Sequence, residues 1–289
     1  MEAGYSRCSY QRGYRQRGHA SALALGCRSD TILEMSEGDR AVAGHVRAPG
    51  GDPRRLRCST VFLDAGGVIV LPRRDLVRSA LERAGITCDE SEVPHAHYRA
   101  VRLLDRSATY RGRIDYMAAL CGELGVPAAR MLDALGALAQ FGDHRHSEEI
   151  LWSEPGPGAV QTMDALGRAG FAVVVVTNSN GHAAENLSDS GICQTTPGRG
   201  ALVTGIIDSA LVGAAKPDPA IFHAALKYAG VEPTSAVHVG DMVSADVIGA
   251  RSAGIVPIHL DPERRCRASD HRHIRRLSGI WRHVAPARD

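Results

Sequence analysis

Aromatic residues are scarce, at 4 % of the 289 residues, so a core must be built from Val, Leu, Ile and Ala. Long apolar runs are missing: stretches such as Phe171–Val176 end far short of the roughly 18–20 residues that a membrane-spanning helix needs, and no membrane association is expected. Paired cysteines are missing too. The seven (Cys8, Cys27, Cys58, Cys88, Cys121, Cys193 and Cys266) are odd in number, scattered, and form no CxxC pair. That pattern counts against a structural zinc and a disulfide framework, and it suits a reducing, cytoplasmic compartment. Lysine is nearly absent, with only Lys216 and Lys227 among 34 basic residues. In a chain that writes arginine wherever a positive charge suffices, a retained lysine is worth inspecting.

Charge is unevenly spread. The net +2 conceals 10 arginines against 6 acids in residues 1–57, 16 basic residues against 23 acids in 58–261, and 8 arginines against 3 acids in 262–289. Basic ends can touch nucleic acid, but no such motif accompanies them, so no nucleic-acid partner is expected and both ends read as solvated. Residues 1–57 hold no sustained period and read as a poorly ordered basic extension. Ala20–Gly26 is short for a signal peptide; the arginine-rich character also fits a transit peptide, and Met35 is an alternative translation start.

From Ser59 the texture changes. Ser59–Asp64 is a short apolar run that ends in an acid and meets Gly66-Gly67, which predicts a buried strand with a sharp turn at its carboxyl end. Phe171–Thr177, Ser235–Asp241 and Ile255–Leu260 have the same form, and Ala201–Asp208 is a further candidate. Helical stretches lie between them at about Gly158–Ala169, Ala183–Ser190, Pro219–Ala229 and Ala245–Ala253; Gly170, Gly191, Gly230 and Gly254 suit their C-termini. The alternation predicts an α/β fold, a doubly wound, mostly parallel Rossmann-like sheet. Residues 72–150 break it. Leu76, Val77, Ala80, Leu81 and Ala84, then Tyr98, Val101 and Leu104, then Ile114, Met117, Leu120 and Leu124, then Met131, Leu135 and Leu138 recur at helical spacing. They predict an all-helical insert over 72–150 that divides the core into 58–71 and 151–289.

Ligands of such sheets bind outside the carboxyl ends of the strands. Four strand ends carry polar residues there: Asp64 before Gly66-Gly67, Thr177-Asn178-Ser179, Lys216-Pro217-Asp218 after the Asp208-Ser209 turn, and Gly240-Asp241 with Asp246 beyond. Gathered at one edge they offer carboxylates for a hard divalent ion such as Mg²⁺, with an ammonium, a hydroxyl and open backbone amides for an anion such as phosphate. In this order and spacing the segments resemble the haloacid dehalogenase (HAD) superfamily, and the insert is similar to the type-1 cap of its subfamily I. IRRLSGIW, Ile274–Trp281, looks like a closing helix of the same domain.

The resemblance implies a Mg²⁺-dependent phosphohydrolase acting on a small phosphorylated metabolite through an aspartyl-phosphate intermediate. It makes Asp64 the nucleophile. Thr177, with the amide after it at Asn178 and those at Gly66 and Gly67, receives the phosphoryl oxygens. Lys216 neutralises charge between Asp64 and the phosphate. Asp64, the Gly66 carbonyl and Asp241 hold the metal, with Asp246 ordering its waters and also suited to a helix N-terminus. One position departs from the family pattern: Gly66 stands where the second Asp of DxD serves as general acid/base. Loss of that group costs about 10²–10⁴-fold for a poor leaving group and much less for a good one, which leaves a binding or regulatory module with little turnover as the alternative. A metal-free dehalogenase would carry an aromatic at Gly66 and no need of Asp241, and a phosphonatase needs a cap lysine, which 72–150 lacks. His182 could stand in as proton donor, but a solvated loop histidine is the better reading. His95, His97, His144 and His146 lack partner carboxylates at ligand spacing, and Arg73, Arg74, Arg99 and Arg102 read as solvated helix faces within reach of an anionic substrate.

Overall fold

Val61, Phe62 and Leu63, and the neighbouring run Val173–Val176, are buried on both faces, which a β-branched run achieves only inside a parallel sheet covered from both sides. In the computed structural model of the chain, residues 55–106, 113–141 and 150–287 are described. β1 (Leu56–Cys58), β2 (Thr60–Leu63) and β3 (Val70–Pro72) precede four helices, α1 (Arg74–Arg83), α2 (Val93–Asp105), α3 (Arg113–Glu123) and α4 (Met131–Ala139). β4 (Trp152–Pro155) leads back to the core, which continues as α5 (Ala159–Arg168), β5 (Ala172–Thr177), α6 (Ala183–Asp189), β6 (Cys193–Gln194) and β7 (Ala201–Leu202). Then come β8 (Gly205–Asp208), α7 (Ser209–Val212), α8 (Pro219–Ala229), β9 (Ala236–Gly240), a π turn over Val243–Val247 and α9 (Ile248–Ser252). β10 (Val256–Leu260), β11 (Arg272–Ile274), a 3₁₀ helix over Leu277–Arg282 and β12 (Val284–Pro286) follow.

The central sheet is parallel throughout, in the order β11-β10-β9-β2-β5-β8. From β2 the chain steps outward through β5 to β8, then returns to β9 and steps outward on the other side. Strand order therefore reverses between β2 and β9, and the loops leaving their carboxyl ends diverge into a crevice. The two-residue period sorts the core into two layers. Val61, Leu63, Val173 and Val175 meet Met163 and Leu166 of α5, while Phe62, Val174 and Val176 meet Ile221 and Phe222 of α8. The expected C-terminal glycines Gly170, Gly191, Gly230 and Gly254 all take positive φ.

The insert leaves the core through β3 and returns through β4, which pair as an antiparallel ribbon. Its helices bury their own apolar cluster, including Leu76, Leu81, Val101, Leu120 and Leu138. Ile114 is the exception among the expected apolar positions: it is 75 % exposed, because the buried stripe of α3 runs through Tyr116, Met117, Leu120 and Cys121. No helix among the described residues is long and apolar enough to cross a membrane.

Several expectations need correction. The boundary at 57 cuts through β1, whose Leu56 and Arg57 pair in parallel with Val284 and Ala285 of β12. Local composition concealed this because the partner strand lies more than two hundred residues away. The reading of residues 1–54 lies outside the described residues. Residues 262–287 are not a solvated basic end, since they contain β11, the 3₁₀ helix and β12. The closing helix expected over Ile274–Trp281 is replaced by a strand that ends at Ile274 and a 3₁₀ helix that buries Leu277 and Ile280. Ala201–Asp208 is split into β7 and β8, and the helix expected over Ala245–Ala253 begins as the π turn.

Candidate active site

Asp64 follows β2 and Asp241 follows β9, so the two carboxylates flank the crevice where strand order reverses. Lys216 reaches between two acids: its Nζ lies 2.6 Å from Asp64 Oδ1 and 2.7 Å from Asp246 Oδ1. Asp64 Oδ1 also accepts the Ala65 N–H at 2.6 Å. Asp246 sits on the π turn and is fully engaged. Its Oδ1 also accepts from His238 Nε2 at 2.9 Å, and its Oδ2 accepts the Met242 N–H at 3.1 Å. Carboxylate oxygens of Asp64, Asp241 and Asp246 come within 4.8 Å of one another, and all three residues are buried.

Burial and crowding of like charge decide the ionisation. Burial pushes the Asp64 carboxyl up to about 8; Lys216 opposes this, while Asp246 and Asp241 reinforce it. Asp241 is raised well above the ordinary range by burial and then by Asp246. Burial would also raise Asp246, but Lys216 and His238 outweigh it and hold that carboxyl well below its usual value. Burial would pull the Lys216 ammonium down, yet Asp246 and Asp64 hold it charged. Three buried carboxylates thus share one ammonium. Two of them, Asp64 and Asp241, hold protons that a bound cation would displace, and this set of oxygen donors, with the Gly66 carbonyl on the adjoining turn, suits a hard divalent ion.

The other expected residues cluster around this centre. Thr177 ends β5 and is buried. Asn178 holds the Lys216 backbone from both sides, donating from Nδ2 to its carbonyl at 2.9 Å and accepting its N–H on Oδ1 at 2.7 Å. Asp208 holds the loop after β5, its carboxylate accepting the N–H groups of Gly181, Ala183 and Ala210. Gly67, with φ of +73°, carries no side chain for a steric reason: a Cβ there would run into the Asp241 carboxylate and the His97 ring. Gly66 is outside the left-handed region, and its Cβ would make an ordinary 3.5 Å contact with Trp152.

The cap supplies His97, expected to lack a carboxylate partner, together with Tyr98 and Asp105, to which the sequence assigned no role in the site. His97 lies on the buried stripe of α2, its Nε2 3.2 Å from Asp241 Oδ2 and its Nδ1 2.9 Å from the Tyr116 hydroxyl. Burial pushes this imidazole down to about 3, so it is neutral. Tyr98 donates its hydroxyl to the Gly67 carbonyl at 2.9 Å. Asp105, the last residue of α2, accepts the N–H groups of Val243 and Ser244, each at 2.8 Å, and the Ser244 hydroxyl at 2.6 Å. A polar residue inside an apolar stripe was the available signal for His97; nothing local marks Asp105. His182 is paired with Glu185 at 3.1 Å in the first turn of α6, and His95 with Glu263 at 2.7 Å. His144 and His146 lie outside the described residues. Arg73, Arg74 and Arg99 pair with Asp75, Glu154 and Glu123, and Arg102 donates to the Arg265 carbonyl.

Fold and site together define a Rossmann-like α/β protein with a buried aspartate–lysine centre beneath a helical insert. Residues 58–254 match the haloacid dehalogenase-like hydrolase family, and the chain belongs to it. It is 30 % identical over 206 residues to a phosphoglycolate phosphatase of Caulobacter vibrioides, covering 69 % of this chain and 78 % of that protein. It is 27 % identical over 191 residues to a glyceraldehyde 3-phosphate phosphatase of Methanopyrus kandleri, covering 65 % of this chain and 74 % of that one. The haloacid dehalogenase-like hydrolase domain-containing protein 3 of Bos taurus is 30 % identical over 138 residues, so the match covers 46 % of this chain and only 51 % of that relative. Among solved structures, the magnesium-bound HAD-hydrolase YfnB of Bacillus subtilis superposes with a TM-score of 0.53 at 20 % identity, covering 78 % of this chain and 98 % of that one.

Proposed function

We propose that the chain is a Mg²⁺-dependent phosphohydrolase of small phosphorylated metabolites that works through a phosphoryl group carried on Asp64. The observation that carries this reading is the Asp64–Lys216–Asp246 array beside Asp241 at the strand-order reversal. Asp64 would attack phosphorus. Lys216, held in place by Asp246 and Asn178, offsets the charge that builds between nucleophile and phosphoryl oxygens, and Thr177 with the amides of Asn178, Gly66 and Gly67 receives those oxygens. Asp64, the Gly66 carbonyl and Asp241 would hold the metal, with Asp246 behind its waters; bound Mg²⁺ supplies positive charge opposite the transferring phosphoryl group. The relatives whose names specify phosphoglycolate and glyceraldehyde 3-phosphate point to the same substrate class.

No side chain at position 66 protonates the leaving oxygen. His97 does not replace it: an imidazole whose pKa is about 3 is cationic in only about one molecule in 10⁴ at pH 7. Its two ring nitrogens already face the Tyr116 hydroxyl and the Asp241 carboxylate. Rates should therefore depend steeply on leaving-group pKa. A cavity of about 20 Å³ between α2 and the segment after β10, which Asp241 lines, has room for about one water. Phosphate release from a panel of alkyl, sugar and acyl phosphates, with and without Mg²⁺, tests the assignment. Metal-dependent release that favours good leaving groups supports it. Specific binding of phosphorylated compounds without turnover would favour the binding-module alternative.

A further inference from the structure

A second cluster of metal-ligating side chains lies at the β10–β11 edge of the sheet. The parallel register sets His259 directly beside His273, and the ring of His271, the residue before β11, lies 4.4 Å from that of His273 between centroids. Cys266 enters from the connecting loop, where the Asp261 carboxylate accepts the N–H groups of Arg265 at 3.0 Å and Cys266 at 2.8 Å. One ligand atom from each of His259, Cys266, His271 and His273 falls within 4.8 Å of all the others.

The hydrogen bonds around the cluster fix which ring nitrogens face inward. His259 Nε2 is 3.1 Å from the Asp241 carbonyl and must carry a proton to bond it, so Nδ1 bears a lone pair. His271 Nδ1 is 2.7 Å from the Asp270 carboxylate and is likewise protonated, so Nε2 bears a lone pair. Those two inward nitrogens are only 3.3 Å apart, and Cys266 Sγ is 3.6 Å from His271 Nε2. His273 Nε2 is buried with no hydrogen-bond partner among the described residues. Facing lone pairs repel unless a cation or a shared proton lies between them. A tetrahedral zinc with bonds of about 2.0–2.1 Å to nitrogen and about 2.3 Å to sulfur places its ligands about 3.3–3.6 Å apart, in agreement with both distances.

We propose that His259, Cys266, His271 and His273 form a tetrahedral N₃S site for a borderline divalent ion, Zn²⁺ foremost, separate from the carboxylate centre. One thiolate with three imidazoles selects zinc over magnesium, and four protein ligands make the site structural. The Asp270–His271 pair is the carboxylate–histidine support that metal-bound imidazoles use. The ion fastens the edge strand and its loop to β10. Through His259 it also steadies the Asp241 carbonyl, and with it the loop of the active site. The proposal runs against the expectation drawn from the cysteine pattern, which counted against a structural zinc; a site with one cysteine leaves no CxxC signature in the sequence.

The test uses the full-length protein with Zn²⁺ and Co²⁺ as probes. Wild type should retain about one zinc per chain after desalting in excess Mg²⁺, and strong chelation should remove it with a fall in Tm. Cobalt added to the chelated protein should give tetrahedral visible bands and a thiolate-to-cobalt charge-transfer band. Cys266→Ser should lose the charge-transfer band, Asp270→Asn should weaken zinc about 10–100-fold, and Asp241→Asn should leave the cobalt spectrum unchanged. Wild type that retains no zinc, or a charge-transfer band that survives Cys266→Ser, would overturn the proposal; the shared proton would then account for the first result.

Discussion

The two faces of the active site are built from opposite materials. The core face carries charge: Asp64, Asp241, Asp246 and Lys216, fixed by strand ends and buried hydrogen bonds. The cap face presents a neutral imidazole and aromatic groups, with His97 in contact with Tyr98, Tyr116 and Trp152. The core is thus equipped to bind and transfer a charged group, while the cap is equipped to exclude water from it, which strengthens every charge interaction beneath. Among the described residues, the one charged cap residue that bonds to the loop between Asp241 and Asp246 is Asp105, which accepts the Val243 and Ser244 N–H groups and the Ser244 hydroxyl.

If the chemistry resides in the core, substitutions there must dominate. Asp64→Asn should leave less than about 1 % of wild-type turnover while substrate still binds, as read by steady-state kinetics and a binding titration. Lys216→Met should cost about 3–5 kcal/mol in chemical denaturation, because it strips the counter-ion from Asp64 and Asp246, and it should lower kcat/KM by about 10²–10³-fold. Gly66→Asp is sterically allowed beside Trp152 and should raise kcat for alkyl phosphates by up to about 10²-fold while changing aryl phosphates little. A flat dependence of wild-type rate on leaving-group pKa, with no selective gain in the folded variant, would show that a cap group or a water supplies the proton.

The charge on the core face also sets a pH signature. Asp64 and Asp241 keep protons in the fold that the unfolded chain has released, so metal-free protein should lose stability as pH rises from about 3.8 to about 8. Asp246, held below its usual value, acts in the opposite sense and only at lower pH. The increment that Mg²⁺ adds to Tm should grow over the same window, as melts at several pH values would show. The smallest effect belongs to the cap. Asp105→Asn should raise KM a few-fold and cost about 1–2 kcal/mol, with kcat nearly unchanged, because it weakens cap closure and leaves the reacting groups in place.

The same division governed what the sequence disclosed. Asp64, Thr177 and Asp241 were legible because each ends an apolar run, and Lys216 stood out in a chain that otherwise uses arginine. His97 and Asp105 were not, because their meaning depends on how α2 docks on the turns after β2 and β9. His238 and His259 were hidden inside strand runs, where a buried imidazole needs a partner the local sequence does not show. The Cys266, His271 and His273 cluster depends on the β10–β11 register. The C-terminal segment misled for a related reason: Arg264, Arg265, Arg267, Arg275, Arg276 and Arg282 are exposed, while Ile274, Leu277, Ile280 and Val284 fill the core from positions too irregular for one helix.

The central claim is that a phosphoryl group passes through Asp64, and chemical trapping addresses it directly. Acid quenching during turnover of p-nitrophenyl phosphate with Mg²⁺, followed by borohydride reduction, converts an aspartyl-phosphate to homoserine. Mass spectrometry of the peptide that holds Asp64 should then show homoserine at that position only when both substrate and Mg²⁺ were present. Steady turnover with Asp64 unmodified, or turnover that persists in Asp64→Asn, would contradict the account.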